Sequence, residues 1–380
     1  MAEEKQDFVF CTQCGAKNSA SAKFCTHCGH PLTHLDGTST SAASNAEEPQ
    51  RKRKSVIDST TSKINEWTGG KGAVKVSLKG FFGQVFKHHT EQEAEDIFAV
   101  GTEKTTPSLD EVVNDQVQPW LFSRILLFIF LVAVLLGVLS EFNPRMGVVV
   151  SLDTTITIAV PVSALVLFFE TNVYKNISFY QVMKITLVGG VLSLIATIIL
   201  DNLLGDNGQL DLVGALLTGV SEEVAKVLVA AYFIYKLNIK RIFNGMLIGA
   251  AVGSGFAAFE NVMYMIDDQT GQLSTIPEVL IRTLFSISDH TEWCAISAAA
   301  LVLAKGTADL TSSDFFKATF LKFLGSVILI HALWDWEFIT TDLKNIVLAI
   351  ITWLFVFVLI HAGLREVKEL QMKTKEKQTE

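Results

Sequence analysis

Charge is scarce in the second half of this 380-residue chain. From residue 121 to residue 363 the sequence runs as successive apolar blocks with very few charged residues between them, whereas residues 31–120 are polar and interrupted. The overall hydrophobic fraction, 49%, is ordinary for a globular protein, so its placement and not its amount is informative. A block such as LLFIFLVAVLLGVL (126–139) reaches, with its flanks, the ~20 residues that cross a bilayer. It lies far from the N-terminus and no small-residue cleavage site follows it, which excludes a signal peptide. An excess of positive charge is also missing. The formal net charge is −8, so no nucleic-acid partner is expected. The short basic run RKRK (51–54) reads as a solvated linker feature or a weak contact with anionic lipid. The aromatic-rich VSLKGFFGQVFKHH (76–89) reads equally well as a membrane-surface segment and as a short soluble helix or linker.

Cysteine is sparse as well, and its distribution is uneven: four of the five fall in CTQCGAKNSASAKFCTHCGH, as Cys11 and Cys14, then Cys25 and Cys28. Two C-x-x-C knuckles suit tetrahedral Zn2+, because each turns tightly enough to aim two thiolates at one ion. Gly15 and Gly29 follow the second cysteine of each pair, where the chain must turn sharply. His27 and His30 are substitute donors, but four thiolates already complete the shell. The stretch 8–31 thus looks like a zinc ribbon whose ion is structural, since a closed shell leaves no position for catalysis. So small a fold has almost no core and depends on the metal. Partner binding in the cytosol and redox sensing are both open to it. Reduced thiolates place the N-terminus in a reducing compartment, the cytosol. Residues 32–119 form a linker and juxtamembrane region, with the Ser/Thr/Ala/Asn-rich tract from Pro31 to about Lys63 expected as a flexible tether.

The apolar blocks predict an all-α polytopic membrane bundle of about eight transmembrane helices, near 120–140, 147–169, 180–200, 210–235, 242–266, 278–304, 317–338 and 344–363, followed by a tail at 364–380. With the ribbon inside, Lys175, Lys184, Lys236, Lys240, Arg241, Lys305 and Lys317 fall in cytosolic loops. The opposite loops hold Arg145 and otherwise acids. This asymmetry predicts a multi-pass protein with both termini cytosolic.

Against that background a few polar residues stand out. The fourth block has Glu222, Glu223 and Lys226; the fifth, Glu260, Asn261 and Tyr264; the sixth, Asp289, His290 and Glu292; the seventh, His331 and Asp335. A charged side chain at mid-bilayer costs at least ~2.5–3.5 kcal/mol, so the set needs partners or a wet cavity. Helical spacing lets Lys226 meet either glutamate, and puts His331 with Asp335 and Glu260 with Tyr264 on shared faces. Counted along its helix, Glu222 lies about 16 Å below the outer mouth. The groups are therefore expected to converge in the middle to outer half of the membrane. Ordinary interhelical pairing explains any one of them, though not the set as a whole. The small residues of GMLIGAAVGSGFAAF (245–259) read as a packing stripe, and Asp289 and Glu292 as helix-face or cavity-lining residues.

At Glu222-Glu223-x-x-Lys226, Phe259-Glu260-Asn261-x-x-Tyr264, His290 and His331 with Asp335, the chain resembles the PrsW family of intramembrane proteases, related to the CAAX-prenyl-protease and abortive-infection membrane peptidases. The resemblance covers roughly 120–363. After His290 the family tends toward small or hydroxyl residues and a glycine, where this chain has Glu292, Trp293, Cys294 and Ala298. It implies peptide-bond hydrolysis in membrane-associated protein substrates by a glutamate- and histidine-activated water. Glu222, Glu223, Glu260, His290 and His331 would then be catalytic, and Lys226, Asn261, Tyr264 and Asp335 supporting. No metal is expected at that site. The closest rival is a metal-dependent protease; it lacks support from an H-E-x-x-H pair, which does not occur. A transporter would use buried acids and histidines too, but predicts internal repeats that are not visible. A silent binding protein that holds a lipid or peptide is the third reading.

Overall fold

The computed structural model describes residues 8–10, 16–19, 22–26, 32, 55–143, 145–205, 211–263, 283, 288–337 and 342–379. The chain divides into two compact units, Met1–Arg53 and Lys54–Glu380. In the first, β1 (Phe8–Phe10) pairs antiparallel with β2 (Lys17–Ser19), with Phe10 opposite Lys17. Asn18 ties this hairpin to the second knuckle. Its buried amide accepts from the Thr26 backbone N–H (2.9 Å) and donates to the Ala16 carbonyl (2.7 Å) and to Cys25 Sγ (3.5 Å). Cys25 is buried and packs with Leu32; Cys11, Cys14, Cys28, His27 and His30 lie outside the described residues.

The second unit begins with three short helices, α1 (Val56–Trp67), α2 (Leu78–Phe81) and α3 (Glu91–Phe98). α1 starts inside the tract expected to be tether, because Ser55 caps it by accepting from the Asp58 N–H (3.0 Å) and it has an apolar surface to dock on. Ile64 and, further on, Val74, Phe81, Val112 and Val117 are part of the large hydrophobic core of the bundle. Phe81, from the aromatic-rich segment, is buried edge-on against Phe357 at 5.3 Å, while Phe86 stands fully in the open.

Eight longer helices follow on the eight predicted blocks: α4 (Leu121–Phe142), α5 (Met146–Thr171), α6 (Phe179–Leu204), α7 (Leu212–Lys236), α8 (Ile242–Met263), α9 (His290–Lys305), α10 (Ala318–Asp335) and α11 (Asp342–Thr379). Six of them, α4, α5, α6, α8, α10 and α11, are long and apolar enough to cross a membrane. The other two fall short for identifiable reasons. α7 carries Glu222, Glu223 and Lys226, and α9 has 16 residues. α11 runs well past residue 363 into what was expected as the tail. Gln371, on that extension, donates to the carbonyls of Leu109 (2.7 Å) and Val112 (2.9 Å), and Arg365 to Thr68, so the polar region before the bundle clasps the end of α11.

α4 lies at the edge against α5 and leaves Leu127, Phe128, Phe130, Leu131 and Leu135 exposed, an apolar face suited to lipid. It has no side-chain cap of its own; Glu170, at the end of α5, accepts from the Trp120, Leu121 and Phe122 N–H groups at 2.8–2.9 Å. Such an anion satisfies donors that a helix start leaves unpaired. α8 is the most enclosed of the six apolar spans, packed by α5, α6 and α9. Gly245, Gly249 and Gly253 recur every four residues on the side facing α9. A methyl group on Gly253 would collide with the His290 carbonyl, and one on Gly249 with that of Cys294. The stripe is thus packing, and it sets His290 hard against α8.

Candidate active site

Glu222 and Glu223 sit halfway along α7 and are at most 8% exposed. Gly219, one turn earlier, lets α10 approach so closely that a side chain there would press on the Ile328 carbonyl. That contact brings His331 of α10 onto α7. From the other side the glycine stripe of α8 admits α9, whose first residue is His290. The capping box of α9 fixes that start: Asp289 accepts from the Thr291 N–H (3.4 Å) and Glu292 from the Asp289 N–H (3.3 Å). Asp289 and Glu292, expected on a helix face or cavity wall, are thus buried capping residues.

The five residues expected to be catalytic come together. Glu223 Oε1 lies 2.8 Å from His331 Nδ1 and 2.7 Å from Lys226 Nζ. Lys226 Nζ also lies 3.2 Å from Glu222 Oε2 and 2.6 Å from His290 Nδ1, and 4.3 Å over the Phe256 ring. On its other nitrogen, His290 Nε2 is 2.6 Å from Glu260 Oε2. Glu222 Oε2 stands further back, 3.7 Å from His290 Nδ1 and 3.8 Å from His331 Nε2. Asp335 reaches His331 Nε2 at 3.1 Å from the next turn of α10. Lys226 is wholly buried, and His290 and His331 nearly so.

These partners fix the proton positions. An ammonium only donates, so His290 Nδ1 accepts from Lys226 and the ring proton is left on Nε2, 2.6 Å from Glu260 Oε2. His331 has a carboxylate against each ring nitrogen and satisfies both only by donating from both. Trp293, tilted against His331 at 4.6 Å and edge-on to His290 at 5.3 Å, holds the two rings; its indole N–H is anchored on Thr352 Oγ1 (3.2 Å).

One supporting residue, Asn261, turns away from the cluster. Asn261 donates to the Thr157 carbonyl of α5 (3.3 Å), away from His290, because it follows Glu260 on the helix and so turns toward the neighbour on that side. Tyr264 lies outside the described residues. Sequence reasoning overlooked Trp293 as a wall, since an aromatic in an apolar block carries no signal of its own. It also missed Asp153. Charged groups were expected in the fourth to seventh blocks only, yet Asp153 of α5 is fully buried and neither oxygen has a partner among the described residues. It lies one turn from Thr157, whose carbonyl holds Asn261. Its signal in the sequence is a single acid standing alone within MGVVVSLDTTITIAV.

The chemistry of the donors also admits a metal ion. Glu222, Glu223, His290 and His331 each offer an atom within 4.8 Å of the others, all four buried. Tetrahedral zinc spaces such donors ~3.4 Å apart, so the set fits after small adjustments. The Lys226 ammonium, in contact with three of the four, would have to withdraw for an ion to enter.

Comparison with known proteins agrees with this picture. Residues 178–361 match the PrsW family, described as an intramembrane metalloprotease family, and residues 10–32 match a zinc-ribbon domain. Neither the curated proteins nor the solved structures contain a significant match. The matched segment runs from α6 into α11 and contains all of Glu222, Glu223, Glu260, His290 and His331. Residues 178–361 therefore form a protease domain of the PrsW intramembrane type, preceded at residues 10–32 by a zinc-ribbon domain.

Proposed function

We propose that this protein cleaves peptide bonds of membrane-associated protein substrates with a water activated by Glu222. The observation that carries the assignment is the difference between the paired glutamates. Glu223 is engaged through Oε1, which Lys226 and His331 hold, while its Oε2 is buried with no hydrogen-bond partner among the described residues. Glu222 stands 3.7 and 3.8 Å from the two imidazoles, too far for direct hydrogen bonds and suited to one bridged by water. In this reading Glu222 takes a proton from water as its oxygen attacks the scissile carbonyl. The His331 Nε2–H, turned from Asp335 as charge builds on the carbonyl, donates to the oxyanion. Collapse of the intermediate breaks the C–N bond, and Glu222 returns the proton to the leaving amine. Glu260 orients His290, Asp335 and Glu223 orient His331, and Lys226 balances the carboxylates.

Glu222→Gln should lower kcat by at least ~100-fold with little change in folding. Unchanged cleavage of a membrane-anchored reporter by that variant would end the assignment.

A second reading is favoured by the donor set and by the family's description as metalloproteases. Glu222, Glu223, His290 and His331 would then hold a divalent ion, which when bound would polarise a carbonyl and acidify water. Counting zinc in the purified full chain separates the two. The glutamate mechanism predicts one ion, in the ribbon, lost on Cys11→Ser with Cys14→Ser, and cleavage that survives removal of any other metal. A second ion, retained in that variant and required for cleavage, would establish the metal mechanism.

For the ribbon, the knuckle spacing and the burial of Cys25 support Cys11, Cys14, Cys25 and Cys28 as the four zinc ligands. The loop charge asymmetry supports both termini in the cytosol. Accessibility of single cysteines engineered into the tail and into the α6–α7 connection would test that orientation.

A further inference from the structure

A cavity of about 510 Å³ opens at the other end of α8, lined by Asn176, Ser178, Gln181, Lys240, Arg241 and Asn244 among others. Asn244 lies 16 residues before Glu260, about 24 Å along the helix, so the cavity is remote from the proteolytic groups. We propose that it binds a phosphate-bearing anion at the headgroup level of the membrane.

Three independent features point to that ligand. The lining includes two cations, Lys240 and Arg241, and no acid. Two long helices begin there, α6 at Phe179 and α8 at Ile242, and their first amides have no acceptor within the helix. Ser178 takes the Gln181 N–H and Glu366 takes the Ile242 N–H (3.1 Å), which leaves the Phe179, Tyr180, Phe243 and Asn244 amides without intrahelical acceptors. Most specifically, Asn244 is 4% exposed and lines the cavity, yet its side-chain oxygen is buried with no hydrogen-bond partner among the described residues. A buried amide left unsatisfied costs about 1–3 kcal/mol, and a ligand with both acceptor oxygens and a hydroxyl would satisfy it. The opposing groups are few. Asp309 meets Lys240 only at 3.9 Å, with both side chains exposed, and Glu366 is engaged by Ile242 and Tyr174. Near the end of α7 the carbonyls of Phe233, Ile234 and Tyr235 accept from the N–H groups of Leu237, Ile239 and Asn238. Arg241, 5.8 Å over the Tyr174 ring, is held at the rim.

A phospholipid headgroup and free phosphate share this chemistry, and two arms of one experiment distinguish them. The full chain is placed in phosphatidylcholine nanodiscs, with and without phosphatidylglycerol, and separately titrated with inorganic phosphate. Thermal unfolding and retained lipid by native mass spectrometry are the readouts. Stabilisation and lipid retention with phosphatidylglycerol identify a lipid headgroup, and stabilisation by phosphate alone identifies a soluble ligand. In either case Lys240→Gln with Asn244→Ala should weaken binding by about tenfold or more while leaving cleavage of a reporter unchanged. Lys240→Arg, which keeps the charge, should retain it. If neither probe stabilises the chain, or if the double variant binds as well as the parent, the proposal is wrong.

Discussion

Lys226 offers the sharpest test of how the site is held together. Its ammonium is wholly buried and lies 2.7 Å from Glu223, 3.2 Å from Glu222 and 2.6 Å from His290. Lys226→Met keeps the length of the side chain and removes only the charge and its hydrogen bonds. Removing one member of a buried ion pair costs about 3–5 kcal/mol, because the other is left without a counter-charge. Here two carboxylates are stranded together, which places the expected loss at the upper end of that range. Glu223→Gln in the same chain removes one stranded charge and should restore about 2 kcal/mol or more, so the two substitutions will be strongly non-additive. Unfolding in mixed micelles, read by tryptophan fluorescence, gives both values. Since Trp293 packs on His331 and His290, its emission also reports the site directly. A loss below about 1 kcal/mol for Lys226→Met, or additive effects in the double variant, would refute the idea that this ammonium balances the buried acids.

Other consequences follow from packing and from Asp153. Gly253→Val places a branched side chain against the His290 carbonyl and should destabilise by about 1–3 kcal/mol and abolish cleavage, with Gly253→Ala milder in both; unfolding and reporter assays check the order. Asp153→Leu removes a buried acid that has no partner among the described residues and should raise stability by about 1 kcal/mol or more in the same unfolding assay. A fall would show that the carboxyl serves the fold. Arg365→Ala removes the clasp on Thr68 and Asn65 and should increase proteolytic nicking of residues 68–76 without altering zinc content, as followed by mass spectrometry.

Much of the architecture was legible because lipid imposes few options. Apolar blocks longer than about 18 residues have to be helices, and the eight helices fall on the blocks, with ends displaced by capping and turns. Charged residues within those blocks were legible for the same reason, and Glu222, Glu223, Glu260, His290 and His331 do meet. The difference between the glutamates was not. Glu222 and Glu223 are adjacent identical residues with Lys226 within helical reach of both, and only the positions of α9 and α10 decide which is locked and which faces the gap. Asn261 illustrates the same limit, since its turn toward Thr157 depends on α5 lying beside α8.

What the sequence alone determined was a set of apolar helices, a cysteine-rich zinc module ahead of them and a list of polar groups too costly to leave unpaired in lipid. Those follow from local composition and periodicity, which act along the chain. Which imidazole faces which carboxylate, where the ammonium sits, and the cation-lined cavity at the opposite end of α8 were decided by tertiary structure. They depend on the approach of helices far apart in sequence, set by side-chain shape and by the glycines that let backbones touch.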